Sequence, residues 1–321
     1  MMQSASLLLA ICISLLLSCS KKKADAPAPA PIPTPKEAIV KPQYLAIYYA
    51  WPSVVNGVSS IAQAVNTFKQ FDIIVLGDSL WTVTHPDRSM TQQIIQQLKA
   101  DKSGIKIYGY IDVGVTGGSW IHNLTDAQLR QAIDGWKAMG ATGVFGDDFG
   151  GDYGVTRSQQ NLFIDYAHNN GFSVFANSWW VKDGLGGSDC HLGTSEYYLL
   201  ESFFMGNGGY YPLSGIKAKG DSVISYKKQS KVNIAVSCTL PGGMATVSSN
   251  TGNPFSLCWY GTALCNFEAF QFTDNWHSAS NAQLYFYPNP ISTYGTVWND
   301  ATPAQVFATQ IKRTSDTHTF L

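Results

Sequence analysis

The sequence predicts a single (β/α)8 or TIM barrel, and three observations predict it. From Tyr44 onward short apolar runs alternate with amphipathic segments, the order of successive βα units around a parallel sheet. The chain has 321 residues, and the portion beyond its N-terminal leader suits one barrel of about 250 residues better than two domains. Several of the apolar runs end in a carboxylate or an amide, and barrels carry their chemistry at the carboxyl ends of the strands.

Ahead of the barrel, Leu7 to Leu17 is an apolar run too short to span a bilayer comfortably. It ends in Leu16-Leu17-Ser18-Cys19, which resembles a bacterial lipobox, so residues 1–18 are expected to be a lipoprotein signal peptide and Cys19 the lipid attachment site. Lys21, Lys22 and Lys23 then lead into Ala-Pro repeats through Pro35, a composition that favours an extended polyproline II spacer. The expected organisation is therefore signal 1–18, tether 19–42 and barrel domain 43–321, with the protein held at the bacterial cell envelope, on the outer membrane or cell surface, by its lipid.

The first strand is expected over Tyr44 to Ala50, with a helix from about Ser59 to Gln70, and the second over Ile73 to Leu76, closing on Gly77-Asp78-Ser79. Ile94, Ile95 and Leu98 fall at helical spacing in a helix from Thr91 to Lys102. Lys106 to Asp112 forms the third strand, and Thr125-Asp126-Ala127-Gln128 is a capping box that starts a helix running to Met139. The fourth strand lies within Gly140 to Gly150 and ends at Asp147-Asp148. A helix from Ser158 to Asn169 leads into the fifth strand, Phe172 to Ala176, which ends at Asn177. Trp179 to Leu192 is expected to be a long loop, Tyr197 to Phe204 the sixth strand interrupted by Glu201, and Gly206 to Tyr211 a further loop. Ile216 to Lys227 and Phe255 to Cys265 complete the helices, and Val232 to Thr239 and Phe267 to Phe272 the strands, the last ending near Asp274. The remaining segment, with a helix start at Thr302-Pro303, is expected to be a surface appendage.

A net charge of −1 argues against nucleic acid as a partner, because phosphate binding needs a strong Lys and Arg cluster. Four cysteines lie beyond Cys12 and Cys19, namely Cys190, Cys238, Cys258 and Cys265, and spacing leaves their pairing open. With no CxxC or HxxxH spacing, no metal and no cofactor are expected, and the chain is expected to act as a monomer.

Read in order, the strand ends give Asp78, Asp112, Asp147 with Asp148, Asn177, Glu201 and Asp274, an acidic rim suited to glycoside hydrolysis by a carboxylate pair. Glu201, among Tyr198, Leu199, Leu200 and Phe203, fits a general acid whose proton is retained in apolar surroundings. Adjacent strand residues face opposite sides, so strand parity admits only one of Asp147 and Asp148 to the barrel mouth without selecting it. Asp78, Asp112, Asp148, Asn177 and Asp274 are expected to bind sugar hydroxyls or orient the pair, with Tyr48, Trp179 and Trp180 as further substrate contacts; Trp51, Trp81 and Trp120 are other loop aromatics able to stack on sugar faces.

Three motifs in register with these units, Ile107 to Gly114, Gly143 to Asp148 and Ala167 to Asn177, resemble the endo-alpha-1,4-polygalactosaminidase family, glycoside hydrolase family 114, and the related spherulin-4-like clan. The resemblance covers roughly Tyr44 to Glu201. It implies that the Asp of the Gly-Val-Phe-x-Asp pattern, Asp147, and the Glu closing the sixth strand, Glu201, are catalytic, and that the substrate is a galactosamine-containing polysaccharide. The position after the Asp, commonly Asn or Glu in the clan, is Asp148 here. The expected function is thus a lipid-anchored, endo-acting glycoside hydrolase. The rivals are a non-catalytic surface glycan-binding lipoprotein on the same barrel and a metal-dependent deacetylase, for which no ligand spacing is present.

Overall fold

The computed structural model describes residues 36–77, 79–206, 209–239, 254–273, 283–288, 294–307 and 310–320. The expected signal peptide, Cys19 and most of the tether lie outside the described residues, as do Asp78 and Asp274. No helix among the described residues is long and apolar enough to cross a membrane.

Eight parallel strands close on themselves: β1 (Gln43–Tyr48), β2 (Ile73–Leu76), β3 (Lys106–Asp112), β4 (Gly143–Asp147), β5 (Ser173–Asn177), β6 (Tyr197–Leu200), β7 (Asn233–Thr239) and β8 (Ala269–Thr273). Helices α1 (Ile61–Phe68), α2 (Arg88–Asp101), α3 (Asp126–Met139), α4 (Arg157–Asn169), α5 (Val181–Leu185), α6 (Leu213–Ser230) and α7 (Pro254–Leu264) come after the first seven strands in turn. This is the (β/α)8 barrel that the alternation predicts.

Local chemistry sets several of the boundaries. Thr125 and Gln128 form the expected capping box of α3, and Thr156 and Gln159 form a second at the start of α4. Each satisfies two helix-end donors, a contribution of about 1 kcal/mol. Gly140 ends α3 with φ +91°, a conformation open to glycine at little cost. Gly109 in β3 is required by packing, since a Cβ there would come within 1.9 Å of the Trp136 ring, whose indole N–H donates to the Tyr110 carbonyl at 3.0 Å.

Alternate residues divide between two cores. Leu45, Ile47, Ile73, Val75, Tyr108, Phe145, Phe175, Tyr197 and Leu199 fill the barrel interior, while their neighbours Ala46, Ile74, Ile107, Val144, Val174 and Leu200 pack beneath the helices. Register across the sheet keeps the two sets apart, with Ile47 beside Val75, Phe145 beside Phe175 and Phe175 beside Tyr197.

Three expectations are corrected. The sixth strand stops at Leu200 rather than Phe204, because the chain turns at Glu201 and Ser202 takes φ +49°. The segment after Asn177 includes the short helix α5, and Met205–Gly206 pairs with Gly209–Tyr210 in a small hairpin where a loop is expected. The C-terminal segment contains no helix at Thr302-Pro303: Ala304–Phe307, Gln310–Thr314 and Thr319–Phe320 form an antiparallel sheet. Ahead of the barrel, Glu37–Ala38 pairs with Val297–Trp298.

These terminal pieces join at the amino-terminal face of the barrel, away from the strand ends that carry chemistry. Asn266, just before β8, accepts from Val40 N–H and from the Trp298 indole and donates to the Ala38 carbonyl. Arg313 is 0% exposed; its guanidinium donates to Glu37 at 2.8 Å, to Leu264 O at 2.6 Å and to the Asp300 and Ala301 carbonyls, and stacks on Trp298. Removing the buried guanidinium takes the donor from the Leu264, Asp300 and Ala301 carbonyls, while Glu37, partly exposed, keeps contact with water. Arg313→Met is therefore expected to lower stability by about 2 kcal/mol, measured by urea unfolding.

Candidate active site

The strand alternation that builds the inner core also aims the functional side chains. Asp112, Asp147, Asn177 and Glu201 each stand two residues beyond an inward-facing residue, respectively Tyr110, Phe145, Phe175 and Leu199. The first three close β3, β4 and β5 and Glu201 directly follows β6, four neighbouring strands of the eight, so one half of the mouth collects them.

Asp147 and Glu201 are brought together by Asn177. Its side-chain amide donates to Asp147 Oδ1 at 2.8 Å and to Glu201 Oε2 at 3.1 Å. One nitrogen serving both oxygens keeps those two oxygens less than about 6 Å apart. Asp147 also accepts from the Tyr110 hydroxyl and the Asp148 backbone N–H. Burial, followed by the charge of Glu201, nevertheless pushes the Asp147 carboxyl up to about 6, because the donors only partly offset the loss of water.

Asp148 departs from simple parity. It comes directly after the last residue of β4 and has φ +51°, a left-handed conformation that Asp tolerates better than most residues. The turn sets it beside the same acidic group, hydrogen-bonded to Tyr153, and burial together with the charges of Asp147 and Asp112 pushes its carboxyl up to about 7. It does not cap α4, a role taken by Thr156.

Asp112, expected to bind sugar hydroxyls or to orient the pair, bonds backbone in the loop after β3. It is 1% exposed, and its two oxygens accept the backbone amides of Gly114, at 2.8 Å, and His122. Both oxygens are used to fold the loop after β3.

Tyr48 is corrected as a substrate contact. It is 2% exposed and packs edge-on against Phe68 on the helix side of the wall, because residues 44, 46 and 48 all face outward. The next residue faces in: Tyr49 meets Tyr110 at 5.1 Å between ring centroids, and the charges of Asp147, Glu201 and Asp148 add to burial in holding its hydroxyl proton. Sequence reasoning missed both Tyr49 and Tyr110, although continuing the alternation Leu45-Ile47 and Tyr108 by two residues finds them.

Two cavities flank the carboxylates. One of about 350 Å³ is lined by Tyr49, Trp51, Leu80, His85, Tyr110, Trp120 and His122, next to Asp147 through Tyr110. The other, about 280 Å³, has Trp179, Ser202, Phe203, Tyr211, Ile216 and Lys219 in its wall and adjoins Glu201 through Ser202. Trp179 and Trp180 are 52% and 54% exposed. Their loop is held from beneath, as Arg157 donates to the Asp183, Gly184 and Gly186 carbonyls and Gln160 to those of Asp183 and Phe149. Among the described residues no group of three His, Cys, Asp or Glu side chains is placed to hold a metal ion, and Cys190, Cys238, Cys258 and Cys265 are free thiols.

Fold and site together define a parallel barrel with an amide-bridged carboxylate pair in its mouth. No protein-family model matches the chain, and no curated protein sequence matches it. Among solved structures it is similar to the glycoside hydrolase domain of PelA from Pseudomonas aeruginosa, at 15% identity and a TM-score of 0.47 over 73% of this chain and 95% of that one. A variant of the same domain gives 13% identity, a TM-score of 0.49 and the same coverage. D-allulose 3-epimerase from Methylomonas sp. is 15% identical with a TM-score of 0.41, covering 74% of this chain and 87% of that one. The activities in those names belong to those proteins.

The carboxyl at position 148 is protonated more readily in the folded chain than in the unfolded one, so its stabilising contribution is full below about pH 4 and is lost as pH rises through about 7. Asp148→Asn removes the charge and suits the left-handed backbone. It is expected to raise stability at pH 8 by about 1–2 kcal/mol, with the gain shrinking toward pH 4, in thermal melts across that range.

Proposed function

We propose that this protein is a retaining glycoside hydrolase that cleaves within a galactosamine-containing polysaccharide. The observation that carries the reading is the Asn177 amide shared by Asp147 and Glu201. In the first step Glu201 gives its proton to the glycosidic oxygen as the C1–O bond breaks, and Asp147 bonds C1. In the second, ionised Glu201 takes a proton from water, whose oxygen bonds C1 as the Asp147 ester bond breaks. Asp147 suits the nucleophile because Tyr110, Asn177 and its own following amide fix it at a strand end. Glu201 suits the acid because it sits at the turn beside the cavity that would hold the departing chain.

A cavity near each member of the pair, one beside Tyr110 and one beside Ser202, favours an internal cut in a polymer over removal of a terminal unit. The galactosamine assignment rests on the motif resemblance, and the acidic cluster of Asp147, Asp148 and Glu201 adds Coulomb attraction for a protonated amino sugar. Exposed Trp51, Trp120, Trp179 and Trp180 offer stacking faces along the path. The same aromatics would serve a non-catalytic binder, which retains affinity but releases no reducing ends.

Incubation with an alpha-1,4-linked galactosamine polymer is expected to yield new reducing ends whose first-formed anomer, observed by NMR, is alpha. Asp147→Asn and Glu201→Gln should each lower release at least a thousandfold, a transition-state loss of about 4 kcal/mol, without lowering the melting temperature. Because Asp147 must be ionised to attack, kcat/KM should fall as pH drops below about 6. Variants as active as the parent would remove the pair from the mechanism.

We further propose that Cys19 carries lipid and tethers the barrel to the cell envelope through the Pro-rich segment. Cells fed a labelled fatty acid should label the parent chain and leave Cys19→Ser unlabelled; an unlabelled parent overturns the anchor.

A further inference from the structure

Two of the four thiols meet in the interior. Cys238, one residue before the end of β7, and Cys258, in the second turn of α7, are both 0% exposed, and their side chains are hydrogen-bonded to each other. The other two stand apart: Cys190 donates to the Gly184 carbonyl at 3.3 Å, and Cys265 lies beside Gly220 of α6. The pairing that spacing leaves open is thereby narrowed to one contact, between the outer face of β7 and the helix packed on it. That helix lacks the amphipathic stripe that ordinarily fixes rotation. It contains no charged residue, and Phe255, Ser256, Cys258, Trp259, Thr262 and Leu264 are buried around most of its circumference, so burial alone specifies its orientation weakly.

We propose that Cys238 and Cys258 are oxidised to a disulfide that fastens α7 to the carboxyl end of β7. The oxidant is a donor disulfide, either a small molecule or a protein. One cysteine thiolate attacks a donor sulfur, forming a mixed disulfide and releasing the first donor thiolate; the second cysteine thiolate then displaces the other. The two protons given up by the cysteines pass to the two donor thiolates, so two protein thiols are oxidised and one donor disulfide is reduced to two thiols. Burial, with the hydrogen bond from Cys238, holds the Cys258 proton far more firmly than usual. Its thiolate is therefore scarce in the folded chain, and the exchange belongs to folding, before α7 closes on β7. Export to an oxidising compartment, as the anchored reading requires, would supply the donor. The pairing itself depends on the contact and not on the hydrolase.

The test unfolds the full chain in urea with reductant and refolds it in detergent with oxidised or with reduced glutathione. Remaining thiols are blocked with N-ethylmaleimide and the peptides mapped by mass spectrometry. Oxidised glutathione should give a Cys238–Cys258 peptide pair in most molecules and a melting temperature about 5–10 °C above that of the reduced sample. The double substitution Cys238→Ala with Cys258→Ala should abolish the response, and Cys190→Ser and Cys265→Ser should leave it. Each protein is compared with itself, so a variant that is only less stable does not imitate the result. Chain taken from cells with its thiols blocked at lysis is mapped in the same way, which frees the answer from refolding. Maleimide on both Cys238 and Cys258 in every sample overturns the proposal, as does a link from either to Cys190 or Cys265, or equal melting temperatures with the link formed. A link in the refolded chain alone keeps the pairing and removes the oxidising location.

Discussion

A strand in a closed barrel can send only every second side chain inward, and this restriction governs everything at the mouth. Leu45 and Ile47, Tyr108, Phe145, Phe175, and Tyr197 with Leu199 occupy the inner positions, so the next inward positions at the carboxyl ends are Tyr49, Tyr110, Asp147, Asn177 and Glu201. The packing that excludes water from the lumen is thereby the packing that aims the carboxylates. A one-residue slip in β4 would put Asp147 beneath the helices and Gly146 into the site.

Placing acids together in this way carries an electrostatic cost that the site offsets only in part. Asn177 donates to both members of the pair, and Tyr110 adds a further donor to Asp147, yet burial still holds the Asp147 and Asp148 carboxyls well above the ordinary range. Asp148 adds backbone strain to charge repulsion. Such a concentration of unfavourable terms is usual where chemistry is carried out, since a stable arrangement of the same residues would be an inert one.

The opposite face of the barrel bears the compensating order. Arg313, Asn266 and Trp298 tie the C-terminal sheet and the Glu37–Ala38 strand across the amino ends of the strands, in a network whose polar groups have partners. Charge is divided along the barrel axis: buried Arg313, paired with partly exposed Glu37, lies at one end and the crowded carboxylates at the other.

Local pattern was enough for the barrel class, the succession of βα units, the capping box of α3 and the ends of β3, β4 and β5 at Asp112, Asp147 and Asn177. Each of these depends on neighbours a few positions away, through helical or strand periodicity and the hydrogen-bonding needs of helix ends. The choice of Tyr49 over Tyr48 and the inward aim of Asp147 were within reach of the same alternation, once the inner set was known. Tertiary structure alone decided the rest. The end of β6 at Leu200, the turn that keeps Asp148 among its acidic neighbours, the use of Asp112 to fold a loop, and the conversion of the final segment into a sheet all depend on partners far along the chain. So do the Asn177 bridge, which spans β4 to the turn after β6, and Lys219, an ordinary surface lysine by sequence that only the closing of the barrel brings beside Glu201. Periodicity carries which way a side chain points; the groups it meets there are fixed by barrel closure.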